Sequence, residues 1–148
     1  MVNSQNPKRA VEILIVEDNP GDVKLTSLAL GMLKHSHQLS HVQHSREALD
    51  FLNKRGNHSE AKRPDIVFLD WNLPPVDGGD VLREIRQSPD LKDIPVLVLT
   101  TSGSDDTKNE VYKAGADFFI NKPMNLEDFS SALKYVLEVF LNKKVQSE

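Results

Sequence analysis

Five polar residues stand at the ends of short apolar runs. Glu17 and Asp18 follow the run at 11–16, Asp70 follows 66–69, Thr100 follows 95–99, and Lys122 lies just past 118–120. If those runs are neighbouring parallel strands, three carboxylates, a hydroxyl and an ammonium meet outside their carboxyl ends, where open α/β sheets place their sites. Clustered carboxylates repel unless one is protonated or a cation compensates them. The donors are hard oxygens, which suits Mg2+, an ion that takes one or two carboxylates and bridges to phosphate. A carboxylate beside such an ion can attack phosphorus and form an acyl phosphate. Lys122 and Thr100 would then steady the oxygens of the transferring group. Taken singly, each residue has an ordinary explanation. An acidic residue after a strand is often a turn former or a cap, a threonine there a loop-entry hydroxyl, and a lysine a solvated charge. It is their placement on one edge that points to chemistry.

The elements that must position them emerge from the pattern. The run 11–16 (VEILIV) is apolar and β-branched and reads as a strand. Asn19 suits a helix N-cap, Pro20 the first helical position and Asp22 the third. Leu25, Leu28, Ala29, Met32 and Leu33 then recur at helical spacing as an expected buried face. A mixed-polarity strand at 39–43 suggests a sheet edge. Ser45 is expected to cap a second helix that buries Ala48, Phe51 and Leu52, and 53–64 reads as a polar loop. The third strand is 66–69, ending at Asp70, and Pro74, Pro75 and Gly78 punctuate the segment after it. A helix over about 79–87 presents Val81, Leu82 and Ile85. The fourth strand is 95–99, with Pro95 at its tolerated first position. A polar helix spans 104–114 and a short strand 118–120. Asn125 can cap a last helix with Asp128 at its third position and a face of Leu126, Phe129, Leu133, Val136, Leu137, Phe140 and Leu141. Five strands alternating with five helices imply a parallel sheet covered on both faces, and the unbroken apolar character of strands 1, 3 and 4 agrees.

Composition narrows the field. The chain has 148 residues, 39% hydrophobic and 27% charged, with a net charge of −4 and no cysteine. That is one domain's worth of chain, large enough for a core without staples. Mild acidity argues against an obligate nucleic-acid or anionic-membrane binder. Without cysteine there are no disulfides, thiolate zinc sites or Fe–S clusters. No apolar run approaches a membrane span, and 1–9 is polar with no signal-peptide core, so the cytoplasm is the expected compartment. The expected organisation is a lead-in at 1–9, one domain at 10–142 and a polar tail at 143–148.

The sequence resembles the receiver (CheY-like) domains of two-component response regulators from about 11 to 141. The matching motifs are Ile-Val-Glu-Asp-Asn-Pro at 15–20, Phe-Leu-Asp-Trp-Asn-Leu-Pro at 68–74 with Asp77-Gly78 after it, Val-Leu-Thr-Thr at 98–101, Ala-Gly-Ala-Asp at 114–117 and Asn-Lys-Pro at 121–123. The resemblance implies a flavodoxin-like (βα)5 doubly wound sheet in the order 2-1-3-4-5, which is the order given for this fold family. It implies a phosphorylation switch in which Asp70 accepts a phosphoryl group from a sensor histidine kinase or phosphotransfer protein. Mg2+ would be held by Asp18, Asp70, the backbone carbonyl of Asn72 and, through water, Glu17. Lys122 would pair with the acceptor or its phosphoryl group. Thr100 would bond the phosphoryl oxygen, and Phe119 would be the aromatic that moves with it. The Lys122–Pro123 bond is expected to be cis.

Glu17 stands where many members have Asp, and Phe119 replaces the tyrosine of some members, so a switch there uses burial rather than a hydroxyl. The long 53–64 loop and the Pro-Val-Leu-Val-Leu-Thr-Thr-Ser run are similar to small stand-alone regulators paired with phytochrome-type histidine kinases. The resemblance also implies slow self-phosphorylation from small donors and autodephosphorylation, kinase docking near the first helix, and output or homodimerisation through helix 4, strand 5 and helix 5.

Three alternatives compete. A non-phosphorylating interaction module would have lost a key residue, and none is lost. A haloacid-dehalogenase-type phosphatase would carry two Asp one residue apart at the nucleophilic strand, where this chain has Asp70 and Asn72. A nucleotide-binding flavodoxin would need a Gly-rich loop after strand 1, which is absent. His35, His37, His41 and His44 fall within ten residues. Their reading as a polar helix end and edge strand is preferred to Zn2+ or Ni2+ binding.

Overall fold

The computed structural model describes residues 10–71, 78–101, 103–122 and 125–146. Its strands are β1 (Val11–Val16), β2 (His37–Val42), β3 (Ile66–Asp70), β4 (Val96–Thr100) and β5 (Phe118–Asn121). They alternate with α1 (Pro20–Gly31), α2 (Ser45–Leu52), α3 (Gly78–Gln87), α4 (Asp105–Lys113) and α5 (Leu126–Gln146), and a 3-10 turn at Gly56–His58 comes after α2. All pairings are parallel and the order is β2-β1-β3-β4-β5. That is the doubly wound 2-1-3-4-5 arrangement, with β2 on an edge as its mixed polarity required.

Side-chain alternation divides the core. Ile13, Ile15, Ile66, Phe68, Leu97, Leu99 and Ile120 pack against α1 and α5 through Ala29, Leu30, Phe129, Leu133 and Leu137. Leu14, Val16, Val67, Leu69, Val96 and Val98 pack on the other face with Ala48, Leu82, Ile85 and Val111. Each such fully buried side chain contributes roughly 1.5–3 kcal/mol relative to exposure.

Two of the three caps that the sequence predicts form, at Asn19 and Asn125, and Ser104 adds one at α4 that the sequence reading does not single out. Asn19 Oδ1 accepts from the N–H groups of Gly21 and Asp22, Ser104 Oγ accepts from Thr107, and Asn125 Oδ1 accepts from Asp128 at 2.8 Å. Ser45 does not cap α2. It is the first helical residue, His44 takes the cap position without a side-chain bond, and the Glu47 carboxylate reaches back to the Gln43 N–H instead.

The face expected of α1 also needs correction. Leu28 and Met32 are exposed, while Thr26, Ala29 and Leu30 are buried. Apolar residues lie all around this helix, so spacing alone does not select a side. Two hydroxyl bonds mark the real one: Thr26 Oγ1 donates to Asp22 O, and Ser130 Oγ of α5 donates to Ala29 O at 2.9 Å. β2 begins two residues before its expected start, and α5 continues to Gln146. Within 53–64, His58 tilts over Phe51 at 5.3 Å and its Nε2 lies 3.3 Å from Glu47, tying the loop to α2.

Candidate functional site

Parallel register brings the strand ends together. Val16 pairs with Leu69, Asp70 with Leu99, and Thr100 with Asn121. Glu17, Asp18, Asp70, Thr100 and Lys122 therefore share one edge, as their spacing in the sequence predicts. Glu17, Asp70 and Lys122 also continue the alternation of the side chains that face α1 and α5, so they project toward the start of α1.

Glu17, Asp18 and Asp70 each present a carboxylate oxygen, and these oxygens lie within 4.8 Å of one another. Among the described residues this is the group of three that could hold a metal ion. The donor set fits a hard divalent cation: all oxygen, with one member buried and one exposed to admit water. The expected third ligand, the Asn72 carbonyl, and the Lys122–Pro123 bond lie outside the described residues.

Lys122 is 5% exposed and Glu17 1% exposed. The ammonium Nζ donates to Glu17 Oε1 at 3.0 Å and to Asp22 Oδ2 at 3.2 Å. The Lys122 N–H donates to Thr100 O at 2.6 Å, which pins the lysine to the end of β4. Burial pushes the Glu17 carboxyl up, the Lys122 bond opposes that, and the nearby Asp70 adds to the rise, leaving Glu17 at about 7. Burial acts to lower the Lys122 pKa, but its bonds and attraction to Glu17 and Asp22 outweigh this and raise it above the ordinary lysine value. The site holds a permanent ammonium beside a carboxyl that titrates near neutrality.

Thr100 is fully buried at the end of β4. Phe119 is half-buried on β5, 6.4 Å from the exposed Tyr112 ring of α4. Asp22, which the sequence marks only as a helix-start residue, is a partner of Lys122. Trp71 is a second such residue. It is 8% exposed, and its Nε1–H donates to Glu110 Oε1 of α4 at 3.2 Å. Neither contact has a local sequence signal, since the partners are 100 and 39 residues apart. The histidines do not gather. His41 Nε2 donates to the Glu17 carbonyl at 2.8 Å and His37 Nδ1 to His35 O, and among the described residues no metal-holding group includes them.

The Trp71–Glu110 bond carries a prediction. Glu110→Ala leaves a buried indole N–H without its acceptor, which costs about 1–3 kcal/mol. The variant is expected to unfold earlier in urea and to shift the emission of Trp71, whereas Glu110→Gln keeps both near wild type. Unchanged emission and midpoint in Glu110→Ala would contradict the bond.

Fold and site together define a receiver domain. The chain belongs to the response regulator receiver domain family, whose model matches residues 13–134. It is 38% identical to Response regulator Rcp1 of Synechocystis sp., over 86% of each chain. It is 35% identical to the probable methanogenesis regulatory protein FilR2 of Methanothrix harundinacea, over 87% of this chain and 83% of that one. Among solved structures, the phosphorylated cyanobacterial phytochrome response regulator RcpA matches with a TM-score of 0.81 at 36% identity, covering 90% of this chain and 96% of the other. The Mn2+-bound form of Rcp1 matches with a TM-score of 0.76 at 36% identity, covering 85% and 91%. The chain is accordingly a response regulator of two-component signalling, a phosphoacceptor switch by family. Among the described residues no helix is long and apolar enough to cross a membrane.

Proposed function

We propose that Asp70 is the phosphoacceptor, working with a Mg2+ ion held by Asp18, Asp70 and the Asn72 carbonyl, with Glu17 acting through water. The observation that carries this reading is the packing of three carboxylates within 4.8 Å beside a buried lysine at the carboxyl ends of the strands. A bound divalent cation would neutralise the carboxylates and the oxygens of the phosphoryl group. An Asp70 carboxylate oxygen attacks phosphorus of a phosphohistidine. The P–N bond breaks, the electron pair leaves with the imidazole nitrogen, and an aspartyl phosphate forms. Lys122 supplies positive charge to a phosphoryl oxygen, and the Thr100 hydroxyl bonds another.

Thr100 moves toward the phosphoryl group, Phe119 packs into the vacated space, and the α4–β5–α5 surface changes shape. The phosphate donor is a sensor histidine kinase, of the phytochrome type by likeness to RcpA, and it docks near α1. Output passes to a protein target through α4–β5–α5, a face that would also serve a homodimer. Small donors phosphorylate Asp70 slowly, and the aspartyl phosphate hydrolyses slowly by itself. The place of action is the cytoplasm.

The test is intact mass after incubation with acetyl phosphate. Wild type with Mg2+ gains one phosphoryl group, the gain disappears with EDTA, and Asp70→Asn gains none. Equal gain in Asp70→Asn, or gain that ignores EDTA, refutes the assignment.

A further inference from the structure

Asp22 occupies the third position of α1, where an acidic side chain is ordinarily explained by the helix dipole or by capping. Its own N–H is satisfied by Asn19, from both Oδ1 and the backbone carbonyl. Its carboxylate turns instead to Lys122 Nζ at 3.2 Å, across 100 residues of sequence. It is not among the three carboxylates that could share a cation. Lys122 thus has two acidic partners of different kinds. Glu17 is a member of the cation cluster, and Asp22 is not.

An ammonium has three N–H donors, and here two of them go to carboxylates. When Glu17 is drawn toward a cation, Asp22 is the carboxylate that still holds the lysine. We infer that Asp22 is a positioning residue for Lys122: it anchors the ammonium on the α1 side of the site and competes with the phosphoryl oxygens for it. The inference rests on Asp70 being the acceptor. It assigns to α1 a part in setting how fast the switch charges, in addition to its place in the fold.

The experiment compares wild type, Asp22→Asn and Asp22→Glu at saturating Mg2+, following Asp70 phosphorylation by acetyl phosphate. Asp22→Asn is nearly isosteric and keeps the helix start. With its competitor removed, Lys122 turns to the incoming phosphoryl group, and the rate is expected to rise roughly threefold to tenfold. Asp22→Glu restores the carboxylate and the wild-type rate. The rise should persist in about 0.5 M KCl, where exposed charges are screened beyond about 4 Å, because Lys122 is buried. A role confined to the helix start moves the melting temperature and leaves the rate alone. An unchanged rate in Asp22→Asn, a rise that vanishes in salt, or an equal rise in Asp22→Glu overturns the inference. Failure of wild type itself to phosphorylate would instead overturn the Asp70 assignment and the inference with it, and the two failures are told apart by the wild-type arm.

Discussion

Affinity for Mg2+ is expected to fall by up to about tenfold per pH unit as pH drops below about 7, because binding must then displace a proton. The group responsible is Glu17. Burial pushes its carboxyl up from 4.5, the Lys122 bond pulls it down, and Asp70 pushes it further up, leaving it at about 7. Below that pH the proton satisfies the crowded carboxylates, and above it a cation must. The same group gives a stability signature of opposite sign in metal-free protein. Its folded pKa lies above its unfolded value, so between 4.5 and about 7 the native state binds more protons than the unfolded chain. Its contribution to stability is therefore full below 4.5 and is lost as pH rises through about 7.

With Mg2+ present the trend should reverse, since a ligand at about 100 times its Kd adds about 2.7 kcal/mol. Trp71, the single tryptophan and the neighbour of Asp70, reports binding by fluorescence. Thermal melts across pH with and without Mg2+ report stability. An affinity independent of pH from about 5.5 to about 7.5, or Glu17→Gln with wild-type pH dependence, would remove Glu17 from this role.

How far the sequence discloses such a site depends on the range of the contacts. Strand ends are visible because parallel strands covered on both faces need unbroken apolar runs, and the residue at which a run stops is the residue at the sheet edge. That is why Glu17, Asp70, Thr100 and Lys122 can be set side by side from the chain alone. Caps are visible because they act within three residues, as at Asn19 and Asn125. The face of α1 is not visible, because leucines surround it and the deciding bonds, from Thr26 and Ser130, involve hydroxyls that a hydrophobic pattern ignores. The start of α2 misleads for a related reason. A serine before a helix suits a cap, but Glu47 supplies the reaching side chain and moves Ser45 inside. The bonds of Lys122 to Asp22 and of Trp71 to Glu110 join different layers of the fold. Nothing local to either partner announces them.

Arg86→Ala is expected to destabilise the domain by about 3 kcal/mol, since it removes four hydrogen bonds from one side chain. Arg86 lies on the last turn of α3. Its Nε–H donates to Gly115 O at 2.9 Å, one terminal nitrogen donates to the carbonyls of Lys92 and Ile94, and the other to Asp117 Oδ2 at 2.8 Å. Asp117 Oδ2 in turn accepts from the Val96 N–H at the start of β4. One guanidinium thus joins the end of α3, the turn into β4 and the link from α4 to β5. Gly115 fits this arrangement, because its φ of +112° suits glycine and a Cβ there would lie 3.1 Å from Arg86 Cγ.

A lysine cannot reproduce the planar fork, so Arg86→Lys should recover less than half of the loss. The melting temperature of Arg86→Ala is expected to drop by roughly 6–12 °C. A double-mutant cycle with Asp117→Ala should show coupling of about 1 kcal/mol or more, as contacting residues do. A melting temperature within about 1 °C of wild type would mean that water replaces the guanidinium at each carbonyl without loss. The clamp fixes the α4–β5 link from the α3 side, while Trp71, next to Asp70, holds α4 through Glu110. If that link transmits the change at Asp70, Arg86→Ala should raise hydrogen exchange in α4 and β5 more than in β1, and a uniform rise would mark it as a stability residue alone.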